Sequence, residues 1–315
     1  MKILATGMEW YEQIPGGLNQ YFADYLKAMT EMGHSVEGLL SGEGAQLNAP
    51  SYIRDVANGT APLDTLQRIR MFSAAVRQRS AQFQPDVFNP HFAFFVSLVT
   101  RSMLPKHVPI VTHFHGPWAY ESKVEDQGSS VTKYVRFQVK KKIESAAYRR
   151  SDCFIVLSRY FADLLVSGFG VSKERIHIIP GAADTERFRP ADNRQALRED
   201  LGVSGQKVLF CARRLVRRMG LDHLIRAMVS VIREVPEARL YIAGDGPLRK
   251  ELASLIEEAG LAGAVSLLGR VSDQDLVRWY QAADFSIVPT LTLEGFGLVT
   301  TEALACGTPV LGTPY

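Results

Sequence analysis

Short runs of β-branched and aliphatic residues recur through the second half of the chain, at 208–212, 240–243, 265–268, 285–288 and 310–311. Between them lie segments with helical spacing, such as Leu221, Leu224, Ile225, Met228, Val231 and Ile232, which place one apolar stripe on a helix. Strands that alternate with helices at this interval predict βαβ units and a parallel sheet. Ser272, three residues before Asp275, predicts a capped helix start. The first half repeats the pattern more loosely, with strands expected at 3–5, 36–40, 87–88, 110–112, 154–157 and 176–179. Gly33 reads as the stop of the helix that begins near Leu18. The apolar run 92–99 reads as a core helix, and residues 41–65, rich in Gly, Asn, Ala and Pro, as an exposed loop. Between Pro180 and Gly205 the sequence turns polar and irregular, which puts the linker there and divides the chain into domains at 1–190 and 191–315.

A length of 315 residues suits two domains of ordinary size, and 46% hydrophobic with 22% charged residues is the balance of a soluble globular protein. The net charge of +3 gives no ground for a nucleic-acid partner. No run approaches the roughly 20 apolar residues of a membrane span, and the opening Met1-Lys2-Ile3-Leu4 reads as a buried strand rather than a signal peptide. Cys153, Cys211 and Cys306 are odd in number and lack metal-ligand spacing, so they read as buried free thiols of a reducing, cytoplasmic compartment.

In open parallel sheets ligands bind at the carboxyl ends of the strands, so chemistry is to be sought in the loops after them. After 285–288 comes Glu294-Gly295-Phe296-Gly297-Leu298, which leads into a helix carrying Glu302. Glycines before a helix start let a phosphate approach the backbone N–H groups. A carboxylate there can accept from sugar hydroxyls, and a second one inside the helix from ribose. Taken singly, each glutamate would be an ordinary surface charge. The neighbours Ala303-Leu304 and Gly307-Thr308-Pro309-Val310 make Glu302's surroundings apolar, where a free charge is costly.

The stretch 294–310 resembles the E-x7-E motif of the retaining family 4 glycosyltransferases, and the similarity extends from Met1 to Tyr315. The resemblance implies a GT-B fold: two doubly wound Rossmann-like domains facing across a cleft, with a nucleotide-diphosphate sugar as donor and no required metal or other cofactor. Because that family continues past Tyr315 with another βα unit, the second domain is expected to be incomplete. By the match, Glu294 meets the donor sugar, Glu302 the ribose, and the backbone of Gly295, Phe296, Gly297 and Leu298 the sugar and phosphate. Arg214 takes the place of the family's diphosphate-binding arginine. Met219 stands where the family has a lysine and Arg213 where it has glycine, so Arg218, with Arg217 as the alternative, is expected to supply the lost charge. His115-Gly116 resembles the family's H-G pair, whose imidazole faces the donor sugar. His113, two residues earlier and on the same strand face, reads as a packed neighbour; His34, His91, His107, His177 and His223 read as structural or surface residues. Gly16-Gly17 resembles the first-domain glycine loop beside the phosphates and acceptor. Gly244-Asp245-Gly246 and Gly269-Arg270-Val271 match loops near the donor, the latter meeting the base, while Asp245 could equally cap a helix. Asp273-Gln274-Asp275 imitates a metal-binding D-x-D but is explained by helix capping.

Lys133, Arg136, Lys140, Lys141, Lys142, Arg149 and Arg150 crowd residues 131–150 against Glu144 alone, with Val135, Val139 and Ile143 four apart. A solvated helix face and a contact surface for anionic lipid at the inner face of the membrane both fit this run. The expected activity is transfer of a sugar, with retention, to a glycan, lipid-linked or small acceptor. The alternatives are a non-catalytic sugar-nucleotide-binding fragment and a GT-B epimerase, the latter disfavoured by 294–302 and the Arg214 loop. A dinucleotide oxidoreductase is excluded because the first strand leads to Thr6-Gly7-Met8 and not to G-x-G-x-x-G.

Overall fold

The structure, a computed structural model, describes residues 1–14, 16–42, 48–57, 64–126 and 128–314. The chain forms two compact units: Met1–Lys123 with 128–180, and 124–126 with the chain from Gly181 onward.

The first unit contains β1 (Lys2–Thr6), α1 (Gly17–Glu31), β2 (Ser35–Leu40), β3 (Ile53–Asp55), α2 (Thr65–Phe83), β4 (Val87–Pro90), β5 (Val111–Phe114), α3 (Trp118–Glu125), α4 (Ser130–Tyr148), β6 (Cys153–Val156), α5 (Arg159–Phe169) and β7 (Ile176–Ile178), the last turn of α3 grouping with the second unit. Its strands are all parallel, in the orders β3-β2-β1-β4 and β5-β6-β7, and a parallel bridge between Phe88 and Ile110 joins the two sets. Ile3 and Ala5 of β1 pack with Phe22 and Leu26 of α1, while Leu4 packs on the opposite face with Phe72 and Val76 of α2. Burial on both faces explains why these strands read as continuous apolar runs. Gly33 ends α1, and the His34 N–H bonds back to the Met29 carbonyl. Strand order reverses between β1 and β4, which makes their carboxyl ends the topological switch point.

The second unit holds α6 (Arg194–Asp200), β8 (Lys207–Ala212), α7 (Leu221–Glu234), β9 (Ala238–Ala243), α8 (Arg249–Glu258), β10 (Val265–Gly269), α9 (Asp273–Ala282), β11 (Phe285–Val288), α10 (Leu298–Ala305) and β12 (Val310–Gly312). The sheet is parallel, in the order β10-β9-β8-β11-β12, with its switch point between β8 and β11. Val208 and Phe210 face the cluster with Trp279 and Tyr280 of α9; Cys211 faces the other, with Ile225 and Met228 of α7. Ser272 caps α9, its hydroxyl accepting the Asp275 N–H at 3.0 Å, and Asp273 pairs with Arg187.

Three local expectations change. Residues 92–99 form turns closed by short-range bonds, Ser97 N–H to Phe94 and Val99 N–H to Val96, and not a helix. Ala93, Phe94, Phe95 and Val96 are all buried, so the run offers no polar face for a helix to turn outward. Ile53–Asp55 adds an edge strand inside the expected loop 41–65, of which 43–47 and 58–63 lie outside the described residues. Cys211 and Cys306 are buried free thiols, whereas Cys153 is only half-buried.

Candidate functional site

In the second unit the loops after β8, β9, β10 and β11 are tied together by their backbones. Arg213 N–H donates to Ala243, Leu215 N–H to Asp245, Gly244 N–H to Gly269, and Leu291 N–H to Arg218. This frame surrounds the switch point. Leu293, buried and with φ 58°, is one of two non-glycine residues with positive φ among the described residues, and it immediately precedes Glu294. A bulky side chain in the left-handed region costs about 1–3 kcal/mol and persists only where its surroundings hold it. Gly297, φ 74°, starts α10 with no side-chain cap, so the first N–H groups of the helix have no capping side chain among the described residues.

Glu294 is partly buried. Its Oε2 accepts from Thr290 Oγ1 at 3.1 Å and pairs with Arg213 Nη1 at 2.9 Å. Glu302 lies on α10 and accepts from the hydroxyl of the fully buried Tyr280 at 3.2 Å; burial, then the Glu302 charge, pushes that hydroxyl well above its usual pKa. Beside Glu302, Ala303 is buried but Leu304 is exposed. Arg214 is exposed and its side chain carries no partner among the described residues. Arg218 reaches the Leu293 carbonyl at 3.3 Å, while Arg217 is drawn away to Glu251 of α8 at 3.2 Å. Met219 is buried, its sulfur 3.8 Å from Thr290 Oγ1. Asp245 does not cap α8: the cap is Leu248, and Asp245 instead accepts the Gly246 N–H at 2.8 Å and faces Arg270 at 4.0 Å. Arg270 is exposed and Val271 packs partly on the α9 side of the sheet.

In the first unit the switch point carries a histidine cluster. The rings of His91 and His113 stack at 4.1 Å between centroids, His91 and His115 at 5.2 Å, and Tyr21 and Tyr25 of α1 wall them in. Gly16 caps α1 and both Gly16 and Gly17 are exposed. Asn89 organises the rings: its Nδ2 donates to the Val111 carbonyl, which can only accept, and so its Oδ1 must face His91. His91 therefore donates from Nε2 at 3.0 Å, and its Nδ1 lone pair accepts from His115 Nε2 at 3.1 Å. That leaves His115 Nδ1 as a lone pair with no partner among the described residues. Burial holds His91 and His115 well below the usual imidazole range and takes His113 to about 3, so all three are neutral at physiological pH. As expected from their spacing, His113 and His115 share a face, with planes 13° apart. His91 is the residue that sequence reasoning missed. It sits just past β4, buried, and touches His115 directly.

Residues 15–187 match the family described as Glycosyltransferase Family 4, and residues 193–315 match Glycosyl transferases group 1. The chain belongs to Glycosyltransferase Family 4. It is 36% identical over 168 residues to the GDP-mannose-dependent alpha-(1-6)-phosphatidylinositol monomannoside mannosyltransferase of Mycolicibacterium smegmatis, covering 51% of this chain and 44% of that one. It is 28% identical over 320 residues to the D-inositol 3-phosphate glycosyltransferase of Xylanimonas cellulosilytica, covering 94% and 75%. Among solved structures, sucrose-phosphate synthase of Thermosynechococcus elongatus superposes with TM-score 0.80 at 20% identity, covering 99% of this chain and 81% of that one. The matched stretches span 44% of that mannosyltransferase and 48% of the mannosylfructose-phosphate synthase of Agrobacterium fabrum, about half the length of each. The shared fold is GT-B, the two-unit parallel α/β architecture that the resemblance to Glycosyltransferase Family 4 implied. No helix among the described residues is long and apolar enough to cross a membrane.

Proposed function

We propose that this chain transfers a sugar from a nucleotide-diphosphate donor to a hydroxyl acceptor with retention at the anomeric carbon. The observation that carries this reading is the pair Glu294 and Glu302 on either side of the open N-terminus of α10, at the switch point of a parallel sheet. The pyrophosphate meets the N–H groups of that helix, Glu302 takes the ribose and Glu294 the sugar. As the glycosidic bond breaks, charge grows on the β-phosphate; Arg214, Arg218 and the helix terminus stabilise it, the electrostatic contribution that usually dominates such catalysis. His115, a neutral acceptor at Nδ1, takes a hydrogen bond from a sugar hydroxyl and gives up no proton itself.

A Glu302→Gln change is expected to weaken a free nucleoside diphosphate and its nucleotide sugar alike, by about 1–3 kcal/mol, the scale of an unpaired buried hydroxyl. Glu294→Gln should spare the free diphosphate and lower turnover. Calorimetry of both ligands, with the product anomer assigned by NMR, reads the split; the name of the mannosyltransferase relative puts GDP-mannose first in the donor panel. Indifference of both ligands to both changes would make the pair ordinary surface charge.

We also propose that α4 meets anionic lipid, which suits a lipid-linked acceptor. Val131, Tyr134, Val135 and Val139 are all more than half exposed on this helix, and Lys142 is exposed nearby. Val135 and Val139 are thus turned outward, while Phe137, Glu144, Ala147 and Tyr148 are buried. Lys140 bonds Ser122 and lies over the Trp118 ring, and Lys141 lies over Tyr120, so both are committed to α3. The decisive changes are accordingly Val135→Asp and Val139→Asp, which should abolish co-sedimentation with vesicles of anionic phospholipid at low salt. If the parent chain does not sediment with them, α4 is a solvated face.

A further inference from the structure

Arg213 stands at the carboxyl end of β8, and its side chain is 7% exposed. Nη1 pairs with Glu294 Oε2 at 2.9 Å, but Nε and Nη2 are buried with no hydrogen-bond partner among the described residues. An arginine kept for packing would satisfy those donors, because buried N–H groups left unpaired cost more than a hydrophobic side chain of the same volume. The residue is therefore held at some cost to stability, and the one partner it has is the glutamate assigned to the donor sugar.

Glu294 Oε2 also accepts from Thr290 Oγ1 at 3.1 Å, and that hydroxyl lies 3.8 Å from the Met219 sulfur. We propose that Arg213 is the positioning residue of Glu294. With Oε2 taken up by Arg213 and Thr290, Oε1 of Glu294 is the oxygen left for sugar hydroxyls, and a fixed carboxylate orients the donor better than one free to turn. The field of Arg213 also extends across the site: it opposes the burial that raises the Tyr280 hydroxyl, the donor to Glu302.

The inference rests on the transferase reading, and its test has one arm that does not. In a thermal-unfolding cycle without donor, Glu294→Gln should lower the melting temperature clearly, since it strands the guanidinium, while Arg213→Met should cost little. The double variant Arg213→Met with Glu294→Gln should regain most of the loss. Additive losses, or an Arg213→Met chain that fails to fold, would make Arg213 a structural residue and overturn the proposal. In the second arm, Arg213→Met should lower kcat about ten- to a hundredfold with donor KM changed far less. Arg213→Lys, which keeps the charge, should retain most of kcat. Parent-like kcat in Arg213→Met, or a loss in Arg213→Lys as large as that in Arg213→Met, refutes the positioning role. A parent chain that transfers from no nucleotide sugar sinks the transferase reading, and the unfolding cycle then still decides whether Arg213 and Glu294 act as a pair.

Discussion

Replacing Gly244 by alanine is expected to destabilise the second unit by about 3 kcal/mol or more. A Cβ at 244 would stand 2.0 Å from the Arg213 carbonyl oxygen and 2.9 Å from its carbon, distances no relaxed contact reaches. The backbone is also at φ 132°, a region that side chains avoid. Neither strand can yield easily, because the N–H of Arg213 is bonded to Ala243 and that of Gly244 to Gly269. The obstructing atom belongs to the residue that holds Glu294, so the same change should push the guanidinium off the carboxylate and reduce turnover. Urea unfolding of Gly244→Ala beside Gly263→Ala checks the first part. The control position has no atom within 4 Å of its Cβ and should lose no more than about 1 kcal/mol, the ordinary range for a surface site. If Gly244→Ala matched the control, the loops after β8 and β9 would be free to part, and the frame of the donor site would be looser than its backbone bonds require.

Much of this frame is legible in the sequence because parallel strands buried on both faces announce themselves. The runs 208–212 and 240–243 that become β8 and β9 are apolar at every position, and α7 shows a clean stripe whose Leu221, Ile225 and Met228 are buried. The edge strand β3 has three residues, none of them buried, and so leaves no such run. The segment 92–99 fails for the opposite reason: apolar residues without a period fit a helix, a strand or packed turns equally. At the site, E-x7-E and the glycines before α10 could be found because their chemistry is contiguous. His91 could not, since its partners Asn89 and His115 come from the ends of β4 and β5, which meet beside a single bridge. Arg213 was legible as a departure from the family pattern, but not as a partner of Glu294, because that pairing exists only once β8 and β11 are neighbours in the sheet.

The second large effect concerns pH and lies in the first unit. Glu144 is buried on α4 and accepts from the N–H groups of Trp118 at 2.9 Å and Ala119 at 3.0 Å, and from the Tyr148 hydroxyl at 3.2 Å. Burial raises its carboxyl to about 7 from 4.5, against the pull of the three donors. Between those values the folded chain keeps a proton that the unfolded chain has lost. Stability from this group is therefore complete below the unfolded value and falls as pH rises to about 7, by about 3 kcal/mol in all. His91, His113 and His115 act in the opposite sense. Their folded values are lowered, so the unfolded state binds the extra protons and stability falls as pH drops below about 6.5. A profile of the parent chain alone would mix the two, and the difference between parent and Glu144→Gln separates them. The glutamine keeps the shape of the protonated acid and cannot ionise, so the advantage of the parent over the variant should shrink by about 3 kcal/mol between pH 4.5 and 8. Urea unfolding of both chains at half-unit steps measures it. A constant difference would mean that the three donors outweigh burial and keep Glu144 ionised throughout, in which case α3 and α4 are joined by a buried charge and not by a titrating one.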